Sequence, residues 1–273
     1  MNYKLPETIT DKDELFKYLK ENKSFIYQQK KSTVKRGDAI SADIPTVDAE
    51  QYATKDVAVT APPTGKLMAK VVINTTNFMD SHDDVHIPGL WKKSLNEAKS
   101  HLHLQEHEME FEKVISDTVT ATAKTMTWKS LGFDFEGSTQ ALIFDSEIDP
   151  ERNPYMYEQY KKGYVKNHSV GMQYVKMEMC INSKEKYYAE EKAAWDKYYP
   201  MIANSSKADE CGYFFAVTEA RIIEGSAVVR GSNIATPTIS VTEAVDDTSK
   251  DEPDNTTHVD YVKLKSINFF TNN

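Results

Sequence analysis

Five stretches rich in β-branched and aromatic residues constrain the fold of this chain more than any other feature of its sequence. They carry many Val, Ile, Thr, Phe and Tyr residues with partial apolar–polar alternation, which is typical of β-strands. The stretches are Lys66–Thr75, Lys113–Trp128, Gln140–Ile148, His168–Met177 and Gly212–Val229. Because they lie close together along the chain, we predict one β-rich region of about six or seven strands.

Four further segments favour helices. Asp11–Lys23 begins with acidic residues and spaces its apolar residues as one face of a short helix. Leu90–His103 has helical spacing, and Pro154–Gly163 ends in a glycine suited to a helix C-terminus. Ser183–Lys207 is charged, aromatic and helix-prone, and it stands between two predicted strands. The pattern predicts an α+β fold, in which a β-rich small barrel or bent antiparallel sheet is flanked by helices.

Shifts in composition divide the chain into three regions. Residues 1–62 are predicted to hold the amino-terminal helix and an extended linker, because the segment before Gly65 is rich in Lys, Asp, Ala, Thr and Pro. Residues 63–240 form the folded domain, with a helical insertion at 183–207. Residues 241–273 are acidic and polar, and we predict a flexible tail there.

Charge and cysteine content exclude several classes of protein. The chain has 33 Lys and Arg against 42 Asp and Glu, a net charge of −9, which argues against binding to nucleic acid or to a membrane surface. It contains no apolar run of about 18 residues and no apolar signal-peptide centre, so we expect a soluble cytosolic protein. Cys180 and Cys211 are too few for a disulfide framework and lack the spacing of a zinc site.

Histidine is the first candidate for chemistry, because its usual pKa near 6.5 suits proton transfer at neutral pH. Five of the seven histidines fall into two groups, His82 with His86, and His101 with His103 and His107. The second group could ligate zinc with Glu106 or Glu108, although no HExxH motif is present. The alternatives are one catalytic histidine, or histidines with no role beyond the surface and core.

Two other segments carry candidate reactive groups. In Asn167–Met172 (NHSVGM), Ser169 would enter a strand two residues before Gly171, and such a serine needs a base to become a nucleophile. In Ala220–Val229, Glu224 interrupts an apolar strand, and a buried carboxylate there requires a partner such as His or Arg. The alternatives are a strand serine bonded across the sheet, and an ion pair with a neighbouring arginine or a solvent-exposed glutamate.

Four blocks, in this order, resemble the prohead (capsid maturation) serine proteases of tailed bacteriophages, whose fold is similar to that of herpesvirus assemblins. Asp80–Leu95 resembles the family's early Asp-Val and Gly stretch, which is followed by a helix. Leu104–Glu108 resembles its histidine–acid pair. Asn167–Tyr174 is similar to its Leu-Ser-Ile-Gly-Phe block, and Ile223–Pro237 to its closing Glu-x-Ser-x-Val strand. The resemblance covers about residues 66–238 and depends on the order of the four blocks.

The resemblance implies a catalytic triad. His107 would be the general base, Ser169 the nucleophile and Glu224 the acid that orients the imidazole. His101 and His103 remain alternative candidates for the general base.

It also implies support for the oxyanion near Gly171 or Arg230, and it requires no cofactor and no metal. The substrates would be the phage major capsid protein and scaffold, and the enzyme itself. The location would be the assembling prohead in the host cytoplasm, with the portal or shell interior and a second copy of the chain as further partners.

The sequence departs from the family pattern at three places. His168 replaces an apolar residue before the serine, Gly231-Ser232-Asn233 stands where Pro-Ala-Asn is expected, and the insertion around Trp195 is long. Two alternatives therefore stay open. One is a catalytically inactive structural homologue in the capsid, and the other is a metal-dependent hydrolase using the His82–His107 cluster.

Overall fold

A computed structural model describes residues 9–32, 34 and 63–245. This part of the chain is a mixed helix and sheet structure. The helices are α1 (Lys12–Glu21), α2 (Lys23–Ser32), α3 (Lys92–Glu97), α4 (Pro154–Lys161), α5 (Ala189–Tyr198) and α6 (Ser205–Cys211). The strands are β1 (Pro63–Thr75), β2 (Asp84–His86), β3 (His103–Gln105), β4 (Val114–Ser116), β5 (Val119–Thr127), β6 (Ser138–Ile148), β7 (Asn167–Ile181), β8 (Tyr213–Val228) and β9 (Thr238–Val245). The predicted linker and tail lie largely outside the described residues.

The strands form two open sheets. The first has the order β5-β6-β1-β9 and is antiparallel throughout. The second is built on the long antiparallel pair β7–β8, while β2 and β3 run parallel to β8 on its other edge and β4 pairs with β3. No closed barrel is formed by the described strands, so the predicted barrel is wrong. The alternative of a purely antiparallel sheet fails for the second sheet, because two short strands lie parallel to β8.

The main core lies between the two sheets. Val71 and Ile73 of β1 contribute to it from the first sheet, and Val170 of β7 contributes from the second. Phe144 of β6 packs directly against β8, because Gly225 has no side chain there. A Cβ on Gly225 would lie 2.5 Å from the Phe144 ring. The sheets therefore meet closely beneath the end of β8 that carries the candidate acid.

The amino-terminal helices belong to the same core. Asp11 caps α1 by accepting hydrogen bonds from two backbone N–H groups, and Phe16 and Leu19 of α1 and Ile26 of α2 are buried in the main cluster. The sequence predicted one helix at 11–23 followed by an extended linker, but a second helix extends to Ser32. The helix pair is thus packed on the 63–240 domain.

Two other predicted elements differ from the structure. The β-prone stretch over 113–128, which was predicted without an interruption, is two strands, because the chain turns between Ser116 and Val119 and moves from the second sheet to the first. The helix expected over 90–103 is only the short α3, after which the chain enters β3. The insertion at 183–207 contains α5, whose Trp195 packs on Phe214 of β8 at 5.1 Å between ring centroids. Among the described helices, none has the length and apolar character needed to cross a bilayer.

Candidate active site

The centre of the site is one face of the β7–β8 pair. Ser169 is directly opposite Ser226, and Gly171 is directly opposite Glu224. Side chains of directly opposed residues project from the same face of an antiparallel pair, with Cβ atoms about 4.5–5.5 Å apart. Because residues two apart on a strand also share a face, these four residues lie side by side. The candidate nucleophile and the candidate acid are therefore neighbours across the sheet.

His107 reaches this face from the neighbouring strand. Strand β3 runs beside β8, with Gln105 opposite Ala227, and the chain then turns sharply at Glu106 and His107. These two residues have φ angles of 50° and 61°, a left-handed conformation that residues other than glycine rarely adopt. The turn is held by the backbone N–H of Glu106, which donates to the carbonyl of Ala227 at 2.9 Å. Such strain is typical of functional positions whose surroundings fix the backbone.

The turn pairs the imidazole of His107 with the carboxylate of Glu224. His107 Nδ1 lies 2.6 Å from Glu224 Oε1, and both side chains are almost completely buried. The Glu224 carboxylate accepts a hydrogen bond from Nδ1–H, so the neutral imidazole carries its hydrogen on Nδ1 and its lone pair on Nε2. An imidazole held in this tautomer is prepared to act as a base through Nε2.

Ser226 is a member of the site that the sequence analysis did not identify. Its Oγ donates to Glu224 Oε2 at 2.6 Å and accepts the backbone N–H of His107 at 3.1 Å. One buried hydroxyl thus fixes the carboxylate and the strained turn together. The available signal was the Glu-x-Ser spacing, because residues two apart on a strand share a face.

Gly171 provides the space that Glu224 occupies. A Cβ at position 171 would lie 1.9 Å from Glu224 Oε1 and 2.7 Å from its carboxyl carbon. The carboxylate of Glu224 therefore lies over Gly171, and from this position it contacts His107. The resemblance predicted that Gly171 supports an oxyanion. In the structure, Gly171 instead contacts the side chain of Glu224.

Ser169 borders a narrow cavity. Its side chain is 6% exposed, and its hydroxyl makes no hydrogen bond to any other described residue. The segment that follows β8 passes close by, since a Cβ on Gly231 would be 3.4 Å from the Cβ of Ser169. Arg230, the other residue predicted to support an oxyanion, is exposed at the start of this segment and forms no ion pair with the described residues. The structure thus brings Ser169 to the face shared by Glu224 and Ser226, without a hydrogen bond between its hydroxyl and an imidazole.

The rival histidines lie elsewhere. His103 is fully buried between the sheets, where Nδ1 contacts Ser146 Oγ at 3.0 Å and Nε2 contacts Tyr160 OH at 3.0 Å. Burial lowers its pKa well below the usual value. His101 packs against the ring of Phe144 at 5.5 Å. Neither ring contacts Glu224 in the structure.

His168, the residue before the candidate nucleophile, is also an interior residue. Its Nδ1–H donates to the carbonyl of Thr236 at 3.2 Å, which leaves Nε2 to accept the hydroxyl proton of Tyr160 at 2.9 Å. Tyr160 in turn accepts from His103 at 3.0 Å. Burial lowers the pKa of His168 to about 4. The polar residue in place of an apolar one is therefore neutral and hydrogen-bonded.

The first histidine group lies near Ser169. His82 and His86 both border the cavity beside the serine. His86 contacts Asn74 at 2.9 Å and Tyr174 at 3.2 Å. In the described part of the chain, no group of three or more His, Cys, Asp or Glu side chains is arranged to hold a metal ion.

The chain was compared with known proteins in three ways. A scan against family models, a search of curated proteins and a search of solved structures each found no match.

Proposed function

We propose that this chain is a serine endopeptidase with Ser169 as nucleophile, His107 as general base and Glu224 as the acid that orients the base. The observation that supports this most strongly is the 2.6 Å contact between His107 Nδ1 and Glu224 Oε1, on the strand face that also carries Ser169. In this tautomer the basic lone pair is on Nε2, the nitrogen that takes the proton in a serine–histidine–acid site. An oriented imidazole beside a serine is the arrangement used for acyl transfer on several unrelated folds.

The reaction follows from these roles. His107 Nε2 accepts the Ser169 proton as the hydroxyl oxygen forms a bond with a peptide carbonyl carbon. The same proton then passes to the leaving nitrogen as the peptide bond breaks, which leaves an acyl-enzyme. Water, deprotonated by His107, hydrolyses the ester and restores the serine. Glu224 stabilises the imidazolium in both halves, and its own desolvation is offset by the hydrogen bond from Ser226.

The hydroxyl of Ser169 must approach Nε2 for this reaction. It has no competing hydrogen bond among the described residues, so a change of side-chain rotamer breaks no hydrogen bond. Catalytic hydrogen bonds in unliganded sites often become short only when substrate is bound.

The proposed substrates are the scaffold and major capsid proteins of a tailed phage, and the protease itself, cleaved inside the assembling prohead in the host cytoplasm. This part of the proposal rests on the resemblance of the four ordered blocks. One of those blocks supplies Glu224 and Ser226 on β8, and another supplies Ser169 and Gly171 on β7. Ser169 is directly opposite Ser226, and Gly171 is directly opposite Glu224. The fold that the resemblance implies, that of assemblins and prohead proteases, belongs to the same proposal.

A second candidate is a catalytically inactive capsid homologue, favoured by the missing hydrogen bond between Ser169 and an imidazole. Co-expression of the chain with its phage capsid and scaffold proteins separates the two. We expect wild-type protein to shorten these proteins and Ser169→Ala to leave them at full length while remaining folded. Ser205→Ala, at the first residue of α6, serves as the matched control. Equal processing by Ser169→Ala would exclude Ser169 as the nucleophile.

A further inference from the structure

The cavity beside Ser169 is lined by polar residues for which the proposed reaction has no role. It has a volume of about 10 Å³, which is room for one group of the size of a water molecule. Most of its polar lining comes from β1, from the loop before β2 and from the segment after β8. The lining includes Asn74, Asp80, His82, His86, Ser169 and Asn233.

A buried network of hydrogen bonds determines which atoms of this lining donate and which accept. It begins at Asp84, an ionised carboxylate paired with Lys30 at 2.5 Å, with both side chains almost fully buried. A carboxylate only accepts, so Tyr174 OH donates to Asp84 Oδ2 at 2.8 Å. The tyrosine oxygen then accepts from His86 Nε2–H at 3.2 Å. Burial lowers the pKa of His86, which favours the neutral ring with a lone pair on Nδ1.

The end of this network is an unpaired acceptor. Because His86 Nδ1 accepts, the amide nitrogen of Asn74 donates to it at 2.9 Å. This hydrogen bond sets the orientation of the Asn74 amide, and Oδ1 is the amide atom that the bond does not use. This oxygen is buried and has no hydrogen-bond partner among the described residues, and the side chain borders the cavity. An unsatisfied buried acceptor is unfavourable, and a donor from a ligand would remove that cost.

Asp80 supplies a second acceptor and a negative charge. Its Oδ1 accepts the backbone N–H groups of His82 at 2.8 Å and Asp84 at 3.0 Å. Within the described part of the chain, Oδ2 has no hydrogen-bond donor and the carboxylate has no ion-pair partner. The residue is only 3% exposed. A desolvated carboxylate of this kind attracts a cation with hydrogen atoms to donate.

We propose that this cavity is the subsite for a substrate lysine next to the scissile bond, whose ammonium group is held by Asp80 and Asn74. The proposal rests on the proposed function of Ser169. An ammonium group is about the size of a water molecule and carries three donors on a slender stem, whereas a guanidinium is a broad plane. The cavity volume and its two acceptors therefore favour lysine over arginine, and its negative charge disfavours acidic side chains.

The test uses the full-length protein and a library of peptides prepared from a proteome. Mass spectrometry of the products identifies the residues that flank each cleaved bond. We expect lysine to be enriched at one flanking position. The preferred sequence is then made with lysine and with norleucine, which has the same number of side-chain carbons but no ammonium. We expect kcat/KM at least about tenfold higher for the lysine peptide, which corresponds to about 1.4 kcal/mol.

Variants locate the origin of this preference. Asp80→Asn keeps an acceptor for the two backbone N–H groups and removes the charge, so the ratio of lysine to norleucine should fall towards one. Asp209→Asn, an exposed residue on α6, should leave the ratio unchanged. Since the comparison of the two peptides uses wild-type protein, a variant that fails to fold does not affect it.

Two results would overturn the subsite in different ways. Wild-type protein that is labelled at Ser169 by a fluorophosphonate and cuts both peptides equally, or prefers an acidic residue, would refute the lysine subsite alone. Protein that is neither labelled nor able to cut any peptide would refute the proposed function and the subsite with it.

Discussion

Glu224 Oε1 fills the space beside Gly171 that the side chain of any larger residue would need. A Cβ at position 171 would lie only 1.9 Å from this oxygen. The same oxygen lies 2.6 Å from His107 Nδ1. The acid can therefore reach the imidazole only because the residue opposite it on β7 has no side chain. This contact gives a structural reason for the glycine two residues after the proposed nucleophile.

Replacement of this glycine should separate the acid from the base. In Gly171→Ala the methyl group forces Glu224 away from His107, and we expect kcat for peptide cleavage to fall about 100-fold or more, on the scale of losing the orienting acid. Steady-state kinetics measures the effect. Gly225→Ala is the matched control, because its methyl group meets Phe144 in the core. It should lower the melting temperature with little effect on kcat of the folded fraction; equal kcat losses in both variants would contradict the explanation.

Ser226→Ala should weaken the orientation of the base. The change removes the donor to Glu224 Oε2 and the acceptor of the His107 N–H, so we expect a loss of about 1–3 kcal/mol in unfolding free energy. We also expect kcat to fall about tenfold and the acid limb of the kcat–pH profile to move to lower pH, since a less fixed carboxylate stabilises the imidazolium less. Ser94→Ala is the control, because Ser94 Oγ accepts the N–H of Ile222 at 2.9 Å and does not touch the acid. An unchanged pH profile in Ser226→Ala would show a purely structural role.

The ion pair between Lys30 and Asp84 connects α2 to the start of β2. Removing one partner of such a buried pair leaves an uncompensated charge, so Lys30→Met should reduce the unfolding free energy by about 3–5 kcal/mol. Denaturant titration checks this. Lys23→Met, at a one-third exposed lysine that pairs with Glu191 at 2.7 Å, should cost less, because Lys20 also pairs with that carboxylate. A smaller loss for Lys30→Met than for Lys23→Met would contradict the importance assigned to the buried pair.

The buried neutral histidines predict a loss of stability in acid. The pKa of His168 is about 4 in the folded protein, against about 6.5 when unfolded. Below pH 6.5 the unfolded chain binds the proton more readily, so stability is full above that pH and falls as the pH drops towards 4. His168 alone accounts for about 3 kcal/mol, and burial also lowers the pKa of His103 and His86.

Denaturant titrations between pH 4 and pH 8 measure this dependence. His168→Gln removes one titrating group and should flatten the curve in that interval, although it also lowers stability at pH 8. A His168→Gln curve as steep as that of the wild type would refute the assignment.

The local part of the site could be predicted from the sequence. Strand periodicity places Ser169 with Gly171, and Glu224 with Ser226, on the faces of two strands. The partner of a buried Glu224 was expected to be His or Arg, and the structure has His107 there. Sequence spacing contains no strand register, however, so it could not show that Ser226 bridges the acid and the turn at His107. The left-handed turn is likewise a tertiary feature, because Glu106 and His107 have no intrinsic preference for it.

The errors in the fold have similar causes. The segment Lys23–Ser32 is polar, and only Ile26 and Lys30 are buried in the structure, so its helix is stabilised by packing and by an ion pair that periodicity does not reveal. The chain between Ser116 and Val119 changes sheets within a continuous β-prone stretch. Parallel pairing of β2 and β3 with β8 depends on contacts between residues far apart in sequence.

The most direct test of the account is the rate at which a fluorophosphonate modifies Ser169, measured by mass spectrometry of the intact and digested protein. We expect one adduct, located on Ser169, with a rate that falls at least about 100-fold in His107→Gln, because the general base that activates the hydroxyl is gone. His101→Gln should react at the wild-type rate. An adduct absent from Ser169, or formed equally fast in His107→Gln, would contradict the claim that these residues form one catalytic site.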